Sequence, residues 1–105
     1  MIDTILSAAG IPAKAARYAD PPKHTYAVYF DDVTADGADG RNLIRTHSVT
    51  VELYEPKRDA AAEAAIEAEL DAQGIPWTKQ AAYWLSSVQR YQVVYEFDYY
   101  EKRRP

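Results

Sequence analysis

Two groups of residues in this chain have types and spacing that could do chemistry: an acidic loop and a pair of histidines. Asp32, Thr34, Asp36 and Gly37 match positions 1, 3, 5 and 6 of a calcium-binding loop, where oxygen ligands surround the ion and glycine makes the sharp turn. The match then fails, because position 12 requires a bidentate glutamate and is Leu43. The flanks also read as strands instead of helices, so the loop is a solvated hairpin tip and no metal ligand is assigned. His24 and His47 are the only imidazoles. They fall on different strands of one expected hairpin and could approach each other, but no carboxylate has a fixed spacing to either. Ser86 and Ser87 lack a nearby activating constellation, and serine pairs are common in turns. Glu63, Glu67, Glu69 and Asp71 read as the wet face of a helix. No catalytic residue, cofactor or metal is expected.

The elements that hold these residues follow from composition and period. At 105 residues the chain is expected to be one domain, residues 1–105. Twelve basic against 16 acidic side chains leave a net charge of −4, which argues against a nucleic-acid groove, since that needs a basic face. The one basic cluster, Lys102-Arg103-Arg104, reads as a charged, solvated tail. With no cysteine, disulfides and thiolate chemistry are excluded. The first residues lack the basic region and apolar run of a secretory signal, and no apolar stretch reaches the roughly 20 residues of a membrane span. A soluble protein, cytoplasmic at synthesis, is expected.

Ile2, Ile5, Leu6 and Ala9 recur at helical spacing, with Gly10 placed to end the helix and Pro12 to prevent its restart. Residues 13–23 read as an irregular connector in which Tyr18 is a packing anchor. From His24 the period changes to two, placing Tyr26, Val28 and Phe30 on one face and Thr25, Ala27 and Tyr29 on the other. A polar loop over residues 31–42 leads to a second strand, residues 43–54, and the two form an antiparallel hairpin. Asp59 caps a second, alanine-rich helix running through Gln73, with Gly74 beyond it and Ile66 and Leu70 as its large apolar residues. Residues 77–85 and 89–101 make a final hairpin turning at Ser86-Ser87-Val88. The expectation is an α+β fold in the order helix–hairpin–helix–hairpin. Its sheet is four-stranded and mostly antiparallel, with two helices packed on one face.

The last strand places Tyr91, Val93, Tyr95, Phe97 and Tyr99 at alternate positions. Its hairpin also holds Trp77, Tyr83, Trp84 and Tyr100. Alternation divides these rings between two faces, and two helices can cover only one of them, so exposed aromatics are expected to mark a protein–protein contact. Trp77, Tyr83, Trp84 and Tyr100, with Asp32, Asp36 and Asp39 of the acidic loop, are the candidate interface residues. A stand-alone module binding a small ligand or peptide, with residues 31–42 as a lid, is the alternative.

Several segments together resemble a family. They are Pro22-Lys23-His24-Thr25-Tyr26-Ala27-Val28-Tyr29, then Val49-Thr50-Val51-Glu52-Leu53-Tyr54 ahead of an acidic helix, then Gly74-Ile75-Pro76-Trp77, and finally Tyr91-Gln92-Val93-Val94-Tyr95-Glu96-Phe97. The pattern is similar to the tail-terminator or tail-completion proteins encoded among the head–tail joining genes of tailed bacteriophages and prophages. The resemblance implies a structural, non-enzymatic virion protein that self-associates into a ring, usually a hexamer. Such a ring caps the tail tube, meets the head connector and head-completion proteins, and lets DNA pass through its lumen without specific binding. It also implies a place in the virion after assembly in the host cytoplasm, with no membrane contact.

Overall fold

The computed structural model describes residues 1–36 and 44–102, the side chains of Asp36 and Lys102 excepted. The elements are α1 (Ile2–Ala8), β1 (Ala13–Ala15), β2 (Tyr26–Asp36), β3 (Ile44–Glu55), α2 (Ala60–Ala72), β4 (Trp77–Lys79), β5 (Tyr83–Leu85) and β6 (Arg90–Lys102). The sheet is six-stranded and mixed, in the order β1-β2-β3-β6-β4, with β5 also on β6. This corrects the expected four-stranded, helix–hairpin–helix–hairpin arrangement. Three local effects account for the difference.

First, the connector contains a strand. Ala13–Ala15 pairs parallel with Ala27–Tyr29, and Ala16 at φ 65 then turns the chain away. Three residues between Pro12 and that turn are too few to display an alternation. Second, the strand after Trp77 is interrupted. Lys79 faces Tyr95 and Tyr83 faces Gln92, so Gln80, Ala81 and Ala82 lie opposite only Val94 and Val93. One extra residue is a β-bulge, and it exchanges the faces beyond it. Trp77 and Trp84, an odd number apart, thus come to the same side of the sheet. Third, much of the expected polar loop is strand: β2 continues through Asp36, which faces Ile44.

Both helices lie on one face of the sheet. There Ile2, Ile5 and Leu6 of α1 and Ile66 and Leu70 of α2 join Ala27, Val49, Val51, Leu53, Val93, Tyr95 and Phe97 in one core. The strand contributors to this face are all odd-numbered, as period-two alternation and the pairing of Leu53 with both Ala27 and Val93 require. Gly10 at φ 75 and Gly74 at φ 68 end the helices in the left-handed conformation that a side chain disfavours. Asp59 accepts the backbone N–H of Ala62 at 3.0 Å and the hydroxyl of Thr25 at 2.6 Å, tying the start of α2 to the residue before β2. Neither helix is long and apolar enough to cross a membrane.

The sheet extends beyond its helices. β3 stays paired with β2 up to Ile44–Asp36 and with β6 up to Ile44–Lys102, while the buried core reaches only as far as Val49 and Phe97. The upper ends of β2, β3 and β6 therefore form a three-stranded arm, and the molecule measures 50 × 27 × 22 Å.

Candidate interaction surface

The arm and the body hold the residues that sequence singled out, at separate places. On the arm, Asp32 is exposed, Asp36 occupies the last row of β2, and Tyr100 is 73% exposed. At the opposite end of β6, Tyr83 is 65% and Trp84 43% exposed, the latter standing edge-on to Tyr91 at 4.9 Å. Trp77 is half-buried instead. Its ring meets Tyr95 edge-on at 5.7 Å, and its indole N–H donates to Asp71 at 2.9 Å, which makes it a packing anchor. Asp39 lies outside the described residues, as do Gly37 and Leu43 of the calcium-loop pattern. Asp32 and Thr34 stand in line along an extended strand, and a straight strand cannot wrap oxygens around an ion. Among the described residues no group of acids and histidines is placed to hold a metal.

The two histidines do not meet. His24 precedes β2, whereas His47 lies opposite Val33 far up the arm, roughly 20 Å or more away at about 3.3 Å per residue. His47 Nδ1 lies 2.9 Å from both carboxylate oxygens of Asp31, and Nε2 lies 3.3 Å from Glu101. Its ring stacks on Tyr99 with centroids 4.3 Å apart. The two carboxylates engage opposite ring nitrogens, so they clamp the imidazole across three strands and cannot converge on one ion. Burial, then the charges of Asp31, Glu101 and Asp3, push the Tyr99 hydroxyl up to about 12.

Behind α2 the structure holds a cluster that sequence misassigned. Glu63 was expected on the wet face, yet it is 4% exposed and faces Glu55, which is 0% exposed. Lys79 Nζ bridges Glu63 at 2.8 Å and Glu67 at 2.7 Å, and the Tyr95 hydroxyl donates to Glu67 at 2.6 Å. Arg58 Nε donates to Glu55 at 3.2 Å and its Nη2 to Glu63 at 3.1 Å. Three acids thus meet two bases, and a proton shared by Glu55 and Glu63 balances the charge. Burial first, then the hydrogen bond and charge of Glu63, raise Glu55 to about 7. Burial opposes ionisation of Glu63 as well, but hydrogen bonds from Glu55, Lys79 and Arg58 outweigh it and hold the group at about 2. Glu55 Oε2 is the buried carboxylate oxygen of the cluster that no donor reaches, and it is where that proton is needed. A raised glutamate is a usual sign of acid–base catalysis. Here its carboxyl is buried, and the cluster ties α2 to β3 and β4. The alternation of β3 put Glu55 on the core side, and this was the available signal.

One groove accompanies the cluster. It is open, about 910 Å³ in volume, and lies between the end of α1 and the start of α2, with Lys23, His24, Lys57 and Arg58 along its rim. Residues 31–36 of the expected lid are part of β2 in the arm and lead away from the groove, and residues 37–42 lie outside the described residues. The chain matches no protein-family model, and none of the curated proteins matches it significantly.

Proposed function

We propose that this protein is a non-catalytic assembly subunit of the tail-terminator type that its sequence resembles. In this reading it forms a ring that caps the tail tube of a phage or prophage particle and meets the head connector, and DNA passes through the lumen. The observation that carries the reading is the arm. Past its helices the sheet leaves Val33 exposed on the helix-side face, and Phe30, Ile44 and Tyr100 are exposed on the opposite face, which neither helix covers. Exposed aromatic and branched side chains on extended strands suit contact with another protein surface. A net charge of −4 per subunit suits a lumen along which DNA slides without adhering. Light scattering and electron microscopy of the purified protein, with and without tail tubes, test it. Rings at the tube end and arrested tube growth are expected; a strict monomer that ignores tubes overturns the reading.

The groove favours a second reading, a binding module for a small anionic ligand or an acidic peptide. Lys23 and Lys57 on its rim supply positive charge, Arg58 being paired with Glu55 and Glu63 and Asp59 also lining the groove, and Ile11, Pro12 and Ala62 supply an apolar floor. Saturable binding of such ligands, lost in Lys57→Glu, with no association with tails, is the result that would select it.

A further inference from the structure

We infer that the groove between α1 and α2 holds a small oxyanion on Arg58, and that this anion and the ionised form of Glu55 compete for the one guanidinium. Binding in the groove is then coupled to a proton on the buried carboxylate pair. The inference rests on the second reading above, the groove as an anion site, and is independent of whether the subunit also assembles.

Arg58 belongs to two places at once. Its Nε donates to Glu55 at 3.2 Å and its Nη2 to Glu63 at 3.1 Å, yet its side chain is 54% exposed and lines the groove. Among the described residues Nη1 donates to no protein atom, so one corner of the guanidinium is left for an outside acceptor. The groove supplies the rest of an anion site. Lys23 and Lys57 are exposed on its rim, and Ala61 and Ala62 bring the first turn of α2 to it. The amides of Ala60 and Ala61 precede the first bond within that helix, from Glu63 to Asp59 at 3.2 Å, and such leading amides favour negative charge. Asp59 also lines the groove, but Thr25 and Ala62 occupy its two oxygens. Two cations and a shared third beside one acid match a compact anion better than a run of carboxylates on a peptide.

The coupling follows from the charges behind Arg58. Glu55 of β3 meets Glu63 of α2 and lies opposite Tyr91 of β6, and Glu67 of α2 accepts the hydroxyl of Tyr95. Lys79 of β4 bridges Glu63 and Glu67. These three carboxylates have only Lys79 and Arg58 to balance them. An oxyanion at Arg58 offsets part of that positive charge, whether it draws the guanidinium outward or only sits beside it. Either way the ionised form of Glu55 becomes costlier and its acid form is favoured. The proton comes from solvent and joins Oε2, the oxygen that lacks a donor. Conversely, a protonated Glu55 holds Arg58 less strongly and leaves it freer for the anion, so affinity is highest on the acid side. Burial, with the hydrogen bond and charge of Glu63 behind it, already raises Glu55 to about 7, which places the coupling around neutral pH. Lys23, His24, Lys57 and Asp59 line the same groove, so the test separates His24 from Glu55.

Sulfate is the probe, because its charge stays constant throughout the range tested. Calorimetry measures its binding to the whole chain on the acid and alkaline sides of the about 7 at which Glu55 titrates, with chloride keeping ionic strength fixed. Affinity of the unaltered chain is expected to fall about fivefold or more from the acid to the alkaline side, a usual size for coupled sites. Glu55→Gln, a neutral stand-in for the protonated acid, is expected to keep the acid-side affinity on both sides. His24→Gln is expected to keep the fall. Carboxyl carbon NMR gives a second readout on the unaltered chain: saturating sulfate is expected to move the Glu55 titration upward. An equal fall in Glu55→Gln, a fall abolished by His24→Gln, no fall in the unaltered chain, or a Glu55 titration that sulfate leaves in place would each overturn the proposal, with the groove still an anion site. No sulfate binding by the unaltered chain on either side refutes the groove reading and the proposal with it.

Discussion

The lower and upper halves of β2, β3 and β6 are built from the same strands with the same alternation, and they meet opposite fates. In the body, Leu53, Val51 and Tyr95 lie under two helices with no exposure. In the arm, the same face carries Val33, half exposed, and a histidine clamped between carboxylates. Hydrophobic alternation therefore specifies strand and register, while the reach of the helices decides which rows are core. α1 is one short helix, and its buried residues begin at Ile2 on the side toward the arm, where the charge of Asp3 is felt at Tyr99. What lies past that reach is free to meet another molecule. Stability is concentrated in one half, and the proposed contacts lie in the other.

The comparison can be broken most decisively in the body. Leu53→Ala removes a side chain with no exposure between Ala27 and Val93, and a cost of about 2–5 kcal/mol is expected. Val33→Ala on the arm should change stability by no more than about 0.5 kcal/mol. Urea unfolding of both variants checks the pair. Equal losses would mean that the arm is as much core as the body.

A somewhat smaller effect should come from the carboxylate cluster, and it depends on pH. The folded chain holds Glu55 at about 7 against an ordinary 4.5, so over that interval it binds more protons than the unfolded chain and loses stability as pH rises. Glu63 is held at about 2 against 4.5, so its contribution is present above 4.5 and is lost as pH falls toward 2. The contribution of the pair therefore peaks near pH 4.5. Glu55→Gln keeps a donor toward Glu63 and removes the alkaline limb alone. Unfolding midpoints at mildly acidic and mildly alkaline pH should differ less in this variant than in the unaltered chain. An undiminished alkaline loss would place the shared proton elsewhere.

How far the sequence revealed this arrangement depends on how long each signal runs. The helices, their glycine ends and the Asp59 cap were legible because Ile2, Ile5 and Leu6, or Ile66 and Leu70, repeat over whole turns. β1 was not legible, because Ala13–Ala15 is too short for any period. The bulge at residues 80–82 was hidden because an extra residue is visible only against its partner strand. The acidic stretch was read as a loop because Asp31, Asp32 and Asp36 are poor strand formers, yet pairing with β3 on one side keeps them extended. Glu63 was misassigned for a related reason: on an alanine-rich helix, charge alone suggests solvent. Only the fold brings Lys79 and Arg58 to its carboxylate. The candidate interface fared similarly, since alternation identified Tyr83, Trp84 and Tyr100 as surplus to one core but could not tell that they stand at opposite ends of β6.

A moderate effect is expected where body and sheet are joined. Asp59→Ala deletes the cap on Ala62 and strands the Thr25 hydroxyl, and a loss of about 0.5–2 kcal/mol should appear in chemical unfolding. Asp59→Asn should recover most of it, because an amide oxygen still accepts the Ala62 N–H. If the asparagine is as damaging as the alanine, the hold on Thr25 matters more than the cap.

The smallest effect should be on the arm itself. His47→Gln breaks the clamp between Asp31 and Glu101 and removes the ring stacked on Tyr99. Contacts between a side chain and carboxylates this close to solvent are worth about 1 kcal/mol or less, and the arm's rows contribute little to the buried core. Global unfolding should therefore shift less than for Asp59→Ala. Amide exchange should report the loss instead, accelerating at residues 44–48 and 98–101 while the amides of Val51, Leu53 and Tyr95 keep their protection. That pattern would mark the arm as a unit that opens without the body. Acceleration spread evenly over both halves would mean that one cooperative unit spans the whole sheet, and the division drawn between the two regions would not hold.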